Sequence, residues 1–287
     1  MFDLLLSVFF SSLIFVVFKL FDTYKVQTVY AIVVNYITAS SVGLLFAHLS
    51  SNLETLPQNS WFFSTVLLGF FFFLVFNLMA RTSQILGVSV ASVATKMSFV
   101  LPVIFGVFVY SESLNTFKTI GIFMALVAVY LASYKGKSQV FQLKSLLLPF
   151  LVFLGSGIID TSLKFLQERH LSIEDYPLFS STAFASAACG GFIYIAFKTT
   201  QNGLKYNLRN VIGGIVLGVP NYFSIYFLLR ALQGSTLNSA SIFTINNVAI
   251  VLFSTLLGIV LFREKLVLKN WLGILLAVIS ILMVSFF

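Results

Sequence analysis

Apolar stretches of about 17–25 residues alternate along this chain with short polar breaks, and that is the length a helix needs to cross ~30 Å of hydrocarbon. Ten crossings are predicted: Phe2–Leu20, Thr28–His48, Trp61–Ala80, Gln84–Tyr110, Phe117–Ser133, Ser145–Leu166, Pro177–Phe197, Val211–Leu229, Thr236–Phe262 and Leu268–Phe287. The breaks between them, such as SSNLETLPQNS and YKGKSQVFQLK, are too short to hold a soluble domain. The pattern predicts an all-α integral membrane protein with ten transmembrane helices.

Composition agrees. The 287 residues are 59% hydrophobic and only 9% charged, with a mean hydropathy of +1.02. A soluble domain is about 45–50% apolar and about 25% charged, so this chain lacks the polar surface to cover itself in water. The net charge of +8 raises the question of nucleic acid, but the 17 basic residues stand singly between apolar runs and form no basic stripe. The partner they imply is the lipid bilayer. One cysteine, Cys189, excludes an intrachain disulfide, and the two histidines, His48 and His170, form no metal set. No metal or cofactor is expected. The first twenty residues lack a basic leader and a small-residue cleavage site, so they are read as a retained helix.

The chain also repeats. Ser11, Ile14, Lys19 and Ser41 meet Ser156, Ile159, Lys164 and Ser186 at an offset of 145. Arg81, Ala91, Ser92 and Thr95 meet Arg230, Ala240, Ser241 and Thr244 at 149. Gly106, Glu112, Leu114, Gly121, Ala125 and Ser133 meet Gly258, Glu264, Leu266, Gly273, Ala277 and Ser285 at 152. The expected organisation is a five-helix repeat over 1–134, a linker over 135–144 and a second repeat over 145–287. Five crossings is an odd number, so the second repeat would be inverted, as in many secondary transporters.

One stretch departs from plain hydrophobicity. Gln84–Tyr110 is long enough to span, yet it carries Lys96 near its middle. A lysine there costs roughly 2.5–3.5 kcal/mol on insertion scales and calls for a partner or a watery cavity. Pro102, six residues on, removes a backbone donor and bends the helix, while Ser89, Ser92, Thr95 and Ser98 give it a polar side. This helix is expected to line a pathway.

GVSVASVATKMSFVLPVIFGVFVYSESL in the first half and SASIFTINNVAIVLFSTLLGIVLFREKL in the second, each ending in a glutamate, resemble the EamA-like family of the drug/metabolite transporter superfamily. The resemblance covers nearly the whole chain. It implies a polytopic carrier, often an exporter of amino acids or other small metabolites. The first four helices of each repeat would surround a central cavity. The second half departs from the first, since Ile245 aligns with Lys96 and Ser254 with Pro102.

Candidate substrate-binding residues are those whose polarity the membrane would not otherwise tolerate. Lys96 would pair with an anionic or zwitterionic group. Asp160, deep in the sixth crossing, has Lys164 one turn later and could pair with it or meet Lys96 across the cavity. Asn35, Asn77, Asn246 and Asn247 need partners, which other helices or a substrate would supply; Asn246 and Asn247 stand where Lys96 and its neighbours lie in the first half, which favours cavity lining. Asn221 follows Pro220 in the eighth crossing, where kink and site readings balance. Lys19 and Lys164 are repeat-related, near helix ends, and read either as snorkelling cations or as a gate or ion pair. Glu112 and Glu264 each precede a helix and are expected to complement its amino-terminal dipole. Gly214 and Gly218 permit close helix packing.

The function expected is secondary transport, as an exporter, of a small polar or amphipathic metabolite such as an amino acid. The protein would work as a monomer or homodimer in a bacterial inner membrane. No nucleotide-binding loop is present, so energy would come from the substrate gradient or from protons. The alternatives are a membrane enzyme acting on lipids, for which no H-E-x-x-H or G-x-S-x-G motif is found, and a channel. Orientation divides the indications. Apart from Lys96, 4 basic residues fall on the side of the termini and 12 opposite, which puts the termini outside. The resemblance implies cytoplasmic termini.

Overall fold

The structure is a computed structural model and describes residues 2–46, 53–110, 115–134, 143–171, 175–202, 207–234 and 239–286. Among these it is helical throughout, without strands. The helices are α1 (Phe2–Thr23), α2 (Thr28–Phe46), α3 (Phe62–Leu86), α4 (Val88–Met97), α5 (Val100–Tyr110), α6 (Thr116–Ala132), α7 (Leu143–Arg169), α8 (Tyr176–Asn202), α9 (Leu208–Gly234), α10 (Ser239–Phe262) and α11 (Leu268–Phe286), with a short 3-10 turn at Leu53–Gln58. Nine stretches among the described residues are long and apolar enough to cross a membrane, α4 and α5 together counting as one. The apolar helix α6, at 17 residues, is shorter than these nine. Glu112 and His48 lie outside the described residues.

Several predicted boundaries move. The third crossing runs on past Ala80 through Arg81 to Leu86, so Gln84 lies in the last turn of α3 and does not start the fourth. Gly87 makes the join alone. Its φ of +110° is closed to most side chains and turns the chain directly from α3 into α4. The fourth crossing is then broken: α4 stops at Met97, and α5 starts at Val100. Pro102 explains the position, because the carbonyl four residues back, on Ser98, has no N–H to receive from it. That carbonyl instead accepts from Leu101 N at 2.9 Å, a tighter turn. Pro220 acts more mildly, since α9 continues through it.

The two halves interleave in mated pairs. α2 meets α9, and α8, its repeat mate, meets α3; α1 meets α9 as α7 meets α3; α1 meets α10 as α7 meets α4 and α5. The mates α2 and α8, α4 and α10, and α6 and α11 also pack on one another. These contacts map onto one another when the halves are exchanged, whereas α1 and α2 also meet α3 with no comparable contact of α7 and α8 on α9 among the described residues.

Small residues make these approaches close, the usual device where lipid removes the hydrophobic drive for helix association. A methyl on Gly214 or Gly218 of α9 would lie 2.6 Å from the Ala31 carbonyl oxygen or 2.7 Å from that of Asn35, both on α2. Ala125, Ala128 and Ala132 of α6 are buried against α11, and Ser280 Oγ donates to the Gly121 carbonyl at 2.7 Å. Between α1, α2, α3 and α8 lies an aromatic core, where Phe76 packs on Phe18 and Tyr36, and Tyr36 on Phe184. Exposed Phe63, Phe108, Phe123 and Phe197 cover the outside, which suits an acyl-chain solvent.

Candidate functional site at the broken fourth crossing

Lys96 sits in the last turn of α4, beside the break, and is half-buried. A cation at a helix carboxyl end is favourably placed in the helix dipole. Among the described residues its ammonium has no hydrogen bond and no contact ion pair. Its charge partner is Asp160 on α7, and the two interact electrostatically across the α4–α7 contact. Ser98, in the break itself, donates from Oγ to Asp160 Oδ2 at 2.9 Å. Asp160 thus turns to α4, the second of the two partners its sequence position allowed. Asp160 is an exposed residue of α7.

The break is seated on α7 by a close fit, since Gly157 leaves room for the Leu101 side chain of α5. Gly157, Asp160, Ser98 and Leu101 thus form one junction, where the interrupted helix crosses α7.

The other end of α4 is tied to the second half. Glu264, in the connection between α10 and α11, accepts from Val88 N at 2.6 Å, Ser89 N at 3.3 Å and Ser89 Oγ at 2.8 Å. Its own N–H donates to the Gly258 carbonyl at 3.2 Å. Added methyls on Gly87 and on Gly258 would each fall 2.7 Å from the carboxylate, so both glycines form its cradle. Glu264 does complement a helix amino terminus, but that helix is α4, not the following α11 as expected. The α11 start is served by Asn270, whose Oδ1 accepts from Val267 N at 2.9 Å.

Most of the amides have partners within the protein. Asn221 Nδ2 donates to Asn35 Oδ1 at 3.2 Å across the α2–α9 interface, and both residues are buried. Asn77, half-buried, bonds back to the Phe73 carbonyl of its own helix at 2.7 Å. Asn246 is buried with its Oδ1 3.1 Å from Ser7 Oγ, which also donates to the Ser224 carbonyl at 2.9 Å, joining α10, α1 and α9. Asn247 is half-buried, and no hydrogen bond reaches its amide among the described residues. Lys19 has a protein partner: its Nζ donates to the Gln84 carbonyl at the end of α3, at 2.6 Å. Lys164 lies half-buried on α7, one turn past Asp160.

Two features were missed by sequence reasoning. Phe10 of α1 stacks on Phe227 and packs on Phe223, both on α9, and the Arg230 guanidinium lies 5.9 Å from the Tyr226 ring centre. Arg230 also approaches Asp3 at 3.7 Å. The signal was the four-residue spacing of Tyr222, Tyr226 and Arg230, which puts them on one helix face. A separate groove of about 440 Å³ between α2, α3 and α8, lined in part by Ser40, Phe70, Ser181 and Cys189, holds none of the candidate residues. No group of three His, Cys, Asp or Glu side chains that could hold a metal ion occurs among the described residues.

Two stretches of the chain, 1–134 and 143–286, match the EamA-like transporter family, one for each repeat. The chain belongs to the EamA-like transporter family. Among relatives, an uncharacterized protein of Haemophilus influenzae is 29% identical over 294 residues, covering 98% of this chain and 96% of that one. A protein crystal structure superposes with a TM-score of 0.62 at 15% identity over 98% of this chain and 95% of the other. That likeness speaks for the shared fold. EamA-like proteins are membrane transporters of the drug/metabolite superfamily, and the helical, lipid-faced architecture agrees.

Proposed function

We propose that this EamA-like protein is a secondary transporter, exporting a small polar or amphipathic metabolite such as an amino acid by alternating access. Its ten crossings would form two inverted repeats that rock about a site at the fourth. The observation that carries the reading is the Lys96–Ser98–Asp160 group, placed where the helix breaks. Opposite charges deep in a membrane protein normally close on each other, because each isolated ion is costly there. Here the ammonium forms no contact ion pair among the described residues and the carboxylate is accessible, which leaves both able to meet a ligand.

Lys96 would bind an anionic group of the substrate, and Asp160, oriented by Ser98, a cationic group or a coupling proton. Asn247 adds an amide without a hydrogen-bond partner among the described residues, on α10, which packs against α4. Asn35 and Asn221 act as interhelical ties in this scheme, and Lys19 steadies the end of α3. A bacterial inner membrane is the proposed location, in keeping with the Haemophilus relative.

The test is thermal stabilisation of detergent-purified protein by amino acids, organic acids and cationic drugs, beside Lys96→Ala. A ligand that binds the native state raises stability by mass action, about 2.7 kcal/mol at a hundred times Kd. A class that stabilises the parent but not folded Lys96→Ala identifies substrate and site together. Equal stabilisation of both proteins would place the site elsewhere, and no response to any class would count against a metabolite carrier.

A further inference from the structure

The two ends of the bundle differ in charge, and neither the fold nor the site accounts for it. Helix order puts the start of α1 and the finish of α11 at one end. At the other end lie Lys25, Arg81, Arg209, Arg263, Lys265 and Lys269, every one exposed. Among the described residues, that end carries 9 basic and 2 acidic residues, against 4 basic and 4 acidic at the end with the termini. One of the 2 acids, Glu264, is turned inward onto the start of α4, so it does little to offset the surrounding cations.

Backbone conformation adds a second indication. Lys25 and Arg263 follow directly on the ends of α1 and α10, each with φ of +52°. Glycine takes this left-handed conformation freely at helix ends, and side chains seldom do. At both turns the chain holds a cation in the place of the easier residue.

We infer that this basic end is the cytoplasmic one, its face set against the anionic phospholipid headgroups of the cytoplasmic leaflet. Short loops rich in Lys and Arg stay on the cytoplasmic side of a membrane, and that leaflet carries the negative surface potential that attracts them. Both termini then lie outside, opposite to what the family resemblance implies. The chain enters α4 from the cytoplasm, and the Glu264 tie sits at the cytoplasmic end.

Two readouts test it in the full chain. In a Cys189→Ser background, Thr116→Cys marks the end with the termini and Thr23→Cys the basic end, both positions being exposed. A membrane-impermeant maleimide added to intact cells should label Thr116→Cys and should reach Thr23→Cys only after lysis. A reporter joined after Phe287 should be active as a phosphatase, which folds outside, and dark as a cytoplasmic fluorescent protein. The reverse pattern in either readout overturns the assignment. Labelling of both cysteines in intact cells also overturns it, because the chain would then insert both ways.

Discussion

Removing the Glu264 carboxylate should loosen α4 and lower stability measurably. Three donors converge on it, two of them backbone N–H groups at the start of α4. A hydrogen bond to a charged group contributes about 1.5–3 kcal/mol, and loss of a helix cap costs about 0.5–2 kcal/mol. The carboxylate is half-exposed, so water replaces part of what is lost, and the lower parts of these ranges apply. Glu264→Ala is therefore expected to cost about 2 kcal/mol, a fall of roughly 4–8 °C in Tm for a chain of a few hundred residues. The assay is thermal unfolding of the purified protein in one detergent, with Lys265→Ala as an exposed neighbour. Glu264→Gln keeps the shape but points an amide donor at N–H groups, so its Tm should fall between parent and Ala. Gly258→Ala, which presses a methyl on the carboxylate, should lose stability in the same direction. A Glu264→Ala protein melting with the parent would refute the argument that α4 depends on the second half.

Lys96→Met and Asp160→Asn should each lower Tm more than the double variant does, because one charge left alone in the interior costs more than none; additive losses would show that the two charges are independent. Gly218→Val should destabilise strongly through its clash with the Asn35 carbonyl and Thr38, whereas Gly213→Val, set against the more yielding Val26 side chain, should do less, and equal losses would sink the close-packing account. Asn270→Ala should cost about 2–3 kcal/mol, roughly 1 kcal/mol for each bond lost, since the two hydrogens of the amide are shared among the Leu131, Ala132 and Tyr134 carbonyls and its Oδ1 accepts from Val267 N. Thermal unfolding measures all three.

Apolar runs showed where the spans lie because in lipid each span must satisfy its own backbone, which imposes a minimum length and leaves few polar residues. The same economy made Lys96 conspicuous, and Pro102 marked the break because a missing N–H acts within one turn. The repeat was readable too, since matched helices keep matched residues at slowly drifting offsets. Pairings between distant residues were not. Asp160 could have closed on Lys164 or reached Lys96, and helical spacing permits both; only the crossing of α4 over α7 brings Ser98 to its carboxylate. Asn35 and Asn221, 186 residues apart, could each be read from sequence as a ligand group or an interhelical tie, and only the close approach allowed by Gly214 and Gly218 shows their amides bonded to each other. Glu264 was legible as a charge seeking a helix terminus. Which terminus depended on how the halves interlock, and that put the start of α4, 175 residues earlier, in front of it. Local chemistry is written within a turn or a span of sequence, whereas the partners of a buried polar group are set by which helices the small residues allow to touch.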